Sequence, residues 1–263
     1  MAQNRISHLA YVHPDAQLGE GVEVHPFAYI DRGTVIGDRC VIFPYASILS
    51  GSILGTENQV YQHAVIGSTP QSFRWKGDCI PQVRIGNGNH IRENVVIAGG
   101  LENNSATTVG DRNYLMDRVH VCHDVRIGDD NVIGIGAQIA GDCQLAHRTI
   151  LSSGVILQHC TRVGRFSLIQ SGCVVQKDVP PYIILGGNPA SYHGVSATIL
   201  EKHGVSERIL RHISNAYRVI YSGNESLEDA LQKIREQIPA GPEIDNIVEF
   251  IQGSTRGIVR RAE

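Results

Sequence analysis

An aliphatic residue returns at every sixth position over most of the first two-thirds of the chain. Every sixth residue from Ile6 to Ile66, and again from Val109 to Val175, is Ile, Leu or Val. Neither the 3.6-residue period of an amphipathic helix nor the two-residue alternation of an ordinary strand produces this spacing. It is typical of hexapeptide repeats, three of which complete one coil of a parallel β-helix.

A second, smaller residue recurs two positions before each aliphatic residue. Ala, Ser, Thr, Cys, Asn or Val fills this position, and Gly often follows the aliphatic residue. One large and one small inward side chain per repeat fit flat strands that meet at tight corners, where glycine is favoured. Residues eighteen apart should then stack at about 4.8 Å, the spacing of neighbouring strands. We therefore predict an all-β protein, a parallel β-helix with a narrow core.

The repeat is interrupted twice. Residues 67–84 and 98–108 break its register, and the second segment lacks an aliphatic residue where one is expected, at Asn103. A loop can leave a solenoid without disturbing its coils, and such insertions often lie on the binding face. We expect both segments to form loops of this kind.

The six-residue pattern stops at Val175, and the rest of the chain is predicted to be helical. Ser196 and Ser206 are candidate N-caps, and Gly223 is the predicted end of the first long helix. The predicted helices cover residues 206–222, 226–238 and 243–252. The predicted organisation is a β-helix domain over residues 1–190 and a small C-terminal α-helical domain over residues 191–263.

Composition excludes several classes of function. The 23 Lys and Arg residues against 26 Asp and Glu give a net charge of −3, which predicts no nucleic-acid partner. No apolar run reaches the ~18 residues of a membrane span, so no stable membrane insertion is expected.

The six cysteines and the first residues of the sequence both favour the cytoplasm. The opening segment MAQNRISHLAYVHP lacks the apolar region of a secretory signal, and no CxxC pair occurs. We therefore expect a cytoplasmic protein with reduced thiols. Cys40, Cys143 and Cys173 fall on the small inward positions and are predicted to be packing residues.

The segment VHVCHDVRIG, residues 119–128, contains the strongest candidates for chemistry. His120, His123 and Asp124 lie between inward aliphatic residues and should point outward. An imidazole oriented by a carboxylate is a suitable general base, although outward polar residues are often merely solvated. Gly141, eighteen residues after His123, should offer its N–H to an oxyanion one coil away. Because an extended segment points the two histidines in different directions, we expect no metal site here. No phosphate-binding glycine motif occurs, and no cofactor is expected.

Seven segments, in order over nearly the whole chain, carry a family resemblance. They are HPDAQLGEGVEVHPFAYI, PQSFRWKG, IRENV, HVCHDVRIG, KDVPPYIILGGNPA, HGVSATILEKHGVSERILRHISNAYRVIY and STRGIVR. They resemble the bacterial enzymes that transfer an acyl chain from acyl carrier protein to UDP-N-acetylglucosamine, the first step of lipid A synthesis. The resemblance implies a left-handed β-helix homotrimer with active sites between subunits. It also implies transfer of an R-3-hydroxyacyl chain to the 3-hydroxyl of the sugar.

The resemblance also implies roles for individual residues. His123 matches the catalytic histidine, Asp124 the acid that orients it, and Gly141 the glycine whose N–H polarises the thioester. Ser171 lies near the position that sets acyl-chain length and is assigned to the acyl-chain groove. The candidate substrate-binding residues are His120, Ser72, Arg74, Asp142, Gln158, His159, Ser196, Lys202 and His203. Arg208, Arg211 and Arg218 recur at helical spacing and are a candidate docking stripe for the acidic carrier protein.

Several positions depart from the family pattern. Ala98, Asp142 and Gln158 stand where the family has histidines, and Ser72 and Arg74 where it has Asp and Lys. An acyltransferase acting on UDP-N-acetylglucosamine is therefore the first hypothesis. A paralogue that uses another UDP-sugar or another acyl donor is the second. A catalytically weak binding trimer is the third.

Overall fold

The repeats form a parallel β-helix in a computed structural model that describes residues 3–222 and 226–261. Successive strands of the chain pass in turn to three sheets, which we call A, B and C, so that strands stack only with those one coil away. The segments that link a strand to the next are the A–B, B–C and C–A corners. The prediction of a parallel β-helix is confirmed.

The strands are short, and their bounds follow the repeat. Sheet A contains β1 (Arg5–Ile6), β4 (Glu23–Val24), β7 (Val41–Ile42), β10 (Gln59–Val60), β13 (His90–Ile91), β16 (Tyr114–Leu115), β19 (Val132–Ile133), β22 (Ile150–Leu151), β25 (Leu168–Ile169), β27 (Ile183–Gly186) and β28 (Ser191–Val195). Sheet B contains β2 (Tyr11–Val12), β5 (Tyr29–Ile30), β8 (Ser47–Ile48), β11 (Val65–Ser68), β14 (Val96–Ala98), β17 (His120–Val121), β20 (Gln138–Ile139), β23 (Ile156–Leu157) and β26 (Val174–Val175). Sheet C contains β3 (Gln17–Leu18), β6 (Val35–Ile36), β9 (Ser52–Leu54), β12 (Gln82–Ile85), β15 (Ala106–Val109), β18 (Arg126–Ile127), β21 (Gln144–Leu145) and β24 (Arg162–Val163).

The repeated aliphatic residues form the core from the second coil onwards. Every sixth residue from Val24 to Ile66 and from Val109 to Val175 is buried. The first coil differs from the prediction, because Ile6 is 47% exposed and Leu18 is only half-buried. Within the described residues, no coil lies below the first one to cover these side chains.

Some of the small inward polar residues bond to one another along the axis of the β-helix. The amides of Asn89, Asn113 and Asn131 each donate to the Oδ1 of the asparagine one coil earlier, at 3.0, 3.0 and 2.9 Å. The Thr149 hydroxyl extends this ladder, donating to Asn131 Oδ1 at 2.7 Å. Because each side chain of this ladder has a partner, the ladder does not carry the desolvation cost of unpaired polar groups. The buried hydroxyl of Thr161 has no partner among the described residues.

The three cysteines predicted to pack inside are buried. Cys40 and Cys143 are 0% exposed and Cys173 is 1% exposed. Burial raises the pKa of the Cys143 thiol to about 12. A thiol that stays protonated is unreactive, which agrees with a packing role.

Over residues 3–222 and 226–261, four helices follow the β-helix, and the last three lie close to the predicted bounds. They are α1 (Ala197–Lys202), α2 (Glu207–Ser222), α3 (Leu227–Gln237) and α4 (Pro242–Gln252). Ser196 occupies the predicted N-cap position of α1, but its hydroxyl makes no capping bond and donates instead to the carbonyl of Phe166 at 2.7 Å. Ser206 does cap α2, accepting a 3.5 Å bond from the N–H of Ile209. The predicted helix end at Gly223 lies outside the described residues.

The C-terminal segment closes the end of the β-helix. β28 pairs antiparallel with β27 in sheet A, so the predicted boundary at residue 190 falls between these two strands. The buried Tyr217 of α2 donates its hydroxyl to the carbonyl of Pro181. The chain returns near its end to form a bridge between Ile258 and Asp178.

Candidate active site at the B–C corner

Candidate catalytic and binding residues from three consecutive coils lie above one another at one corner. The B–C corner carries His123 and Asp124 in one coil, Gly141 and Asp142 in the next, and His159 in the third. The N–H of Asp142 donates to the carbonyl of His123 at 3.1 Å, which fixes the vertical alignment. The eighteen-residue coil thus brings distant parts of the sequence into one column, as predicted for His123 and Gly141.

His123 is held in one orientation by the residue that follows it. Its Nδ1 lies 3.0 Å from Oδ2 of Asp124, and the residue is 7% exposed. A carboxylate bonded to Nδ1 keeps the proton there and leaves Nε2 as the base. The side chain leaves the β-helix core as predicted, but the next coil covers it, so it is not a solvated surface histidine.

Gly141 lies directly against the imidazole. A Cβ built on Gly141 would be 2.5 Å from Cε1 and 2.7 Å from Nε2 of His123, so no larger residue fits here without moving the ring. Among the described residues, the N–H of Gly141 donates to no protein acceptor. A free backbone N–H beside Nε2 is suited to stabilise an oxyanion that forms next to the base.

Asp124 is fixed from a second side by a loop. The N–H of Leu101 donates to its Oδ2 at 3.3 Å. Its other oxygen, Oδ1, is buried and has no hydrogen-bond partner within the described part of the chain. A buried acceptor without a partner is costly unless a bound molecule donates to it.

The two interruptions of the repeat leave the β-helix at this same corner. Residues 69–81 link β11 to β12, and residues 99–105 link β14 to β15, each a step from sheet B to sheet C. With sheet C they enclose a cleft of about 760 Å³ that Asp124 and Asp142 line. The expectation that the insertions belong to the binding face agrees with this position.

Two arginines of the cleft were not among the sequence candidates. Arg84 and Arg126 both line it. Each precedes an inward aliphatic residue on sheet C, and both pair with Thr108 of the strand between them. Stacking the outward positions of sheet C coil by coil would have placed them together. With Arg74 they give the cleft three guanidinium groups that can bind an anionic ligand, beside the carboxylates of Glu102, Asp124 and Asp142.

Asp142 joins two of the predicted binding residues. Its Oδ2 lies 3.6 Å from the guanidinium of Arg74 and 3.6 Å from Nε2 of His159. Ser72 shapes the turn that presents Arg74, accepting a 3.3 Å bond from the N–H of Arg74. The ring of His159 lies 6.4 Å from that of His123, between centroids.

The comparisons with known proteins decide the family. A family model described as UDP N-acetylglucosamine O-acyltransferase, domain 2, matches residues 178–259. The acyl-[acyl-carrier-protein]–UDP-N-acetylglucosamine O-acyltransferase of Alkalilimnicola ehrlichii is 42% identical over 257 residues, covering 97% of this chain and 99% of that protein. The chain belongs to this acyltransferase family.

Solved structures of the family have the same fold. The UDP-N-acetylglucosamine acyltransferase of Bacteroides fragilis is 45% identical with a TM-score of 0.95, covering 97% of this chain and 100% of that one. The enzyme of Francisella novicida is 30% identical with a TM-score of 0.94, covering 98% and 95%. The predicted fold, a left-handed parallel β-helix followed by a small helical region, is confirmed.

His120 lies three residues before His123 in sequence, but it is on a strand and not at the B–C corner. It is half-buried on β17 of sheet B, beside Gln138 of β20. Burial lowers its pKa, so it favours the neutral form. In the described part of the chain, no contact joins it to His123 or Asp124, and these three do not form a metal-ligand group.

The remaining candidate residues from the sequence are spread around the β-helix. Gln158 is exposed at the B–C corner, next to His159. Ser171 is exposed at the A–B corner. Lys202 and His203 end α1, and the His203 ring packs edge-on against Phe166 of the C–A corner at 5.2 Å. Ser196 is 1% exposed and bonded to Phe166, so within one chain this group does not meet His123.

Within the described ranges, no helix combines the length and the apolar composition needed to span a membrane.

Proposed function

We propose that the protein transfers an R-3-hydroxyacyl chain from acyl carrier protein to the 3-hydroxyl of UDP-N-acetylglucosamine, the first step of lipid A synthesis. The observation that carries the proposal is the column at the B–C corner, where His123, oriented by Asp124, lies against Gly141. The family supplies the substrates, because its members are named for acyl carrier protein and UDP-N-acetylglucosamine.

The column contains the groups that an ester-forming acyl transfer requires. His123 Nε2 removes the proton of the sugar hydroxyl while the hydroxyl oxygen bonds to the thioester carbonyl carbon. The N–H of Gly141 donates to the negative carbonyl oxygen of the tetrahedral intermediate. As the intermediate collapses, the C–S bond breaks and the imidazolium returns its proton to the carrier thiolate. Asp124, 3.0 Å from Nδ1, stabilises the imidazolium between the two proton transfers.

The cleft contains groups that can bind both the phosphates and the hydroxyl groups of a UDP-sugar. Arg74, Arg84 and Arg126 line it and suit a diphosphate. The unpartnered Oδ1 of Asp124 suits a hydroxyl or amide N–H of the bound sugar. We assign acceptor binding to this cleft.

The proposal includes a homotrimer. Ser196, Lys202 and His203 are candidate binding residues, yet they lie with Phe166 at the C–A corner of their own chain. A neighbouring subunit that presents its C–A corner to this B–C corner would bring the two groups together. We further propose action in the cytoplasm, where thiols such as the buried Cys40, Cys143 and Cys173 stay reduced.

A paralogue acting on another UDP-sugar is the second candidate. Asp142 pairs with Arg74 and adds a negative charge at the cleft, which changes the groups that contact the acceptor. An assay with R-3-hydroxyacyl carrier protein, measuring release of the carrier thiol and the acylated product, separates the candidates. UDP-N-acetylglucosamine should be the best acceptor among several UDP-sugars. Faster transfer to another UDP-sugar would establish the second candidate, and no transfer to any of them would reject acyl transfer.

A further inference from the structure

Asp142, His159 and Cys160 bring three different metal-binding groups together beside the proposed active site. A carboxylate oxygen, an imidazole nitrogen and the thiol sulfur all lie within 4.8 Å of one another. We call these residues the DHC cluster. The sequence predicts no metal site in the chain, but that expectation is argued from His120, His123 and Asp124, none of which belongs to the DHC cluster.

The repeat fixes the backbone of the DHC cluster. Cys160 is one coil above Asp142, and its N–H donates to the carbonyl of Gly141 at 3.0 Å. Asp142 and Cys160 have matching left-handed backbone conformations, with φ of 59° and 60°. Both side chains therefore start from a scaffold that needs no rearrangement when a ligand binds.

The donor set and its spacing suit zinc. Zn²⁺ accepts thiolate, imidazole and carboxylate ligands, and with bonds of about 2.0–2.3 Å two ligand atoms of a tetrahedral site lie roughly 3.3–3.8 Å apart. His159 Nε2 and Asp142 Oδ2 already lie 3.6 Å apart. Cys160 and His159 are exposed, so a side-chain rotation can bring the sulfur into reach and water can fill the fourth position.

The present partner of Asp142 does not prevent metal binding. The guanidinium of Arg74 is 3.6 Å from Asp142 Oδ2, and the two side chains are 66% and 39% exposed. Ion pairs this exposed are weak, so a metal ion can displace the arginine.

We propose that the DHC cluster binds Zn²⁺ and that the bound ion inhibits the enzyme. The ion withdraws Asp142 from Arg74 and sits beside His159, whose ring centroid is 6.4 Å from that of His123. Asp142 lines the acceptor cleft next to Arg74, so the ion fills space that the UDP-sugar needs and competes with it even though Arg74 is released. Metal binding is independent of the proposed function, whereas the inhibition rests on it.

The first experiment measures the metal alone. Calorimetry with ZnCl₂ and absorption spectra with Co²⁺ are recorded on the full chain without substrates. The parent should bind one equivalent and show a sulfur-to-cobalt charge-transfer band. Loss of a residue that only orients a metal ligand typically costs about 10–100-fold in affinity. Cys160→Ser removes a ligand itself, so it should weaken binding by about 100-fold or more and abolish the band. Cys79→Ser is the control, because its sulfur contacts the carbonyl of Leu101 instead.

The second experiment measures inhibition in the acyl-transfer assay. Zn²⁺ should raise the KM for the UDP-sugar in the parent and in Cys79→Ser. Cys160→Ser should keep the parent's turnover without zinc and resist inhibition. Absence of zinc binding to the parent, or equal binding by Cys160→Ser, would overturn the site. Zinc binding without inhibition of an active enzyme would overturn only the inhibitory role.

Discussion

Gly141 is the residue at which the candidate site tolerates least change. Its Cα faces the imidazole so closely that a Cβ would lie 2.5 Å from Cε1 of His123. Gly141→Ala should therefore displace the ring and lower kcat by about 100-fold, the cost of a misplacement of about 1 Å. The control is Gly241→Ala, where the added Cβ meets only a side-chain oxygen at 3.9 Å. Steady-state kinetics on both variants check this, and an unimpaired Gly141→Ala enzyme would remove Gly141 from the site.

Asp142 lines the acceptor cleft at a position where the resemblance implies a histidine. It holds Arg74 and His159 at 3.6 Å each. Asp142→His restores the family residue and frees Arg74, so the KM for UDP-N-acetylglucosamine should fall about two- to tenfold, the value of roughly one hydrogen bond. Asp142→Asn serves as the control that removes only the charge. A parent KM in the low micromolar range that neither variant changes would contradict this account.

Positions of individual residues could be predicted from the sequence where the six-residue repeat determines them. The eighteen-residue coil placed Gly141 over His123 from sequence spacing alone. It did not predict that His123 would be 7% exposed, because packing of one coil against the next depends on the absence of a side chain at Gly141. Arg84 and Arg126 were missed because the two loops, which have no repeat, form the other wall of their cleft.

At the scale of elements, α2 presents a basic face to solvent. Arg208, Arg211 and Arg218 are all exposed, and Arg211 lies 3.3 Å from Glu207 one turn earlier. Helical spacing was enough to predict this face, because the apolar residues of the same helix must face the β-helix.

The basic face of α2 is predicted to dock the acidic carrier protein. Arg208→Glu with Arg211→Glu should raise the KM for the acyl carrier protein donor and flatten its salt dependence, because charge reversal removes electrostatic attraction. The control is Arg32→Glu, an exposed arginine of the N-terminal coils. A donor KM that the double variant leaves unchanged would reject docking on α2.

At the scale of the whole molecule, the N-terminal coils expose stacked aromatic rings. Tyr11 and Tyr29 stack at 5.0 Å and Phe27 and Tyr45 at 5.1 Å, and Phe27 and Tyr45 are each 51% exposed. Contiguous exposed apolar surface of this kind is typical of protein interfaces. The repeat predicted the β-helix but not these rings, because they occupy outward positions that it leaves free.

We expect the protein to be a stable homotrimer. A β-helix alone leaves one wall of the site open, whereas a neighbouring subunit supplies the second wall and covers apolar surface. Sedimentation equilibrium should therefore give three times the 28.7 kDa of one chain. A folded monomer at micromolar concentration would contradict this prediction.

The rate of acyl transfer in His123→Ala tests the central claim most directly. General-base catalysis contributes about 10²–10⁴-fold, so turnover should fall by that factor while the thermal unfolding temperature and the oligomeric state stay unchanged. His8→Ala, which removes an exposed histidine of the first coil, should keep the parent's rate. A His123→Ala enzyme within tenfold of the parent would show that the column at the B–C corner is not where the chemistry occurs.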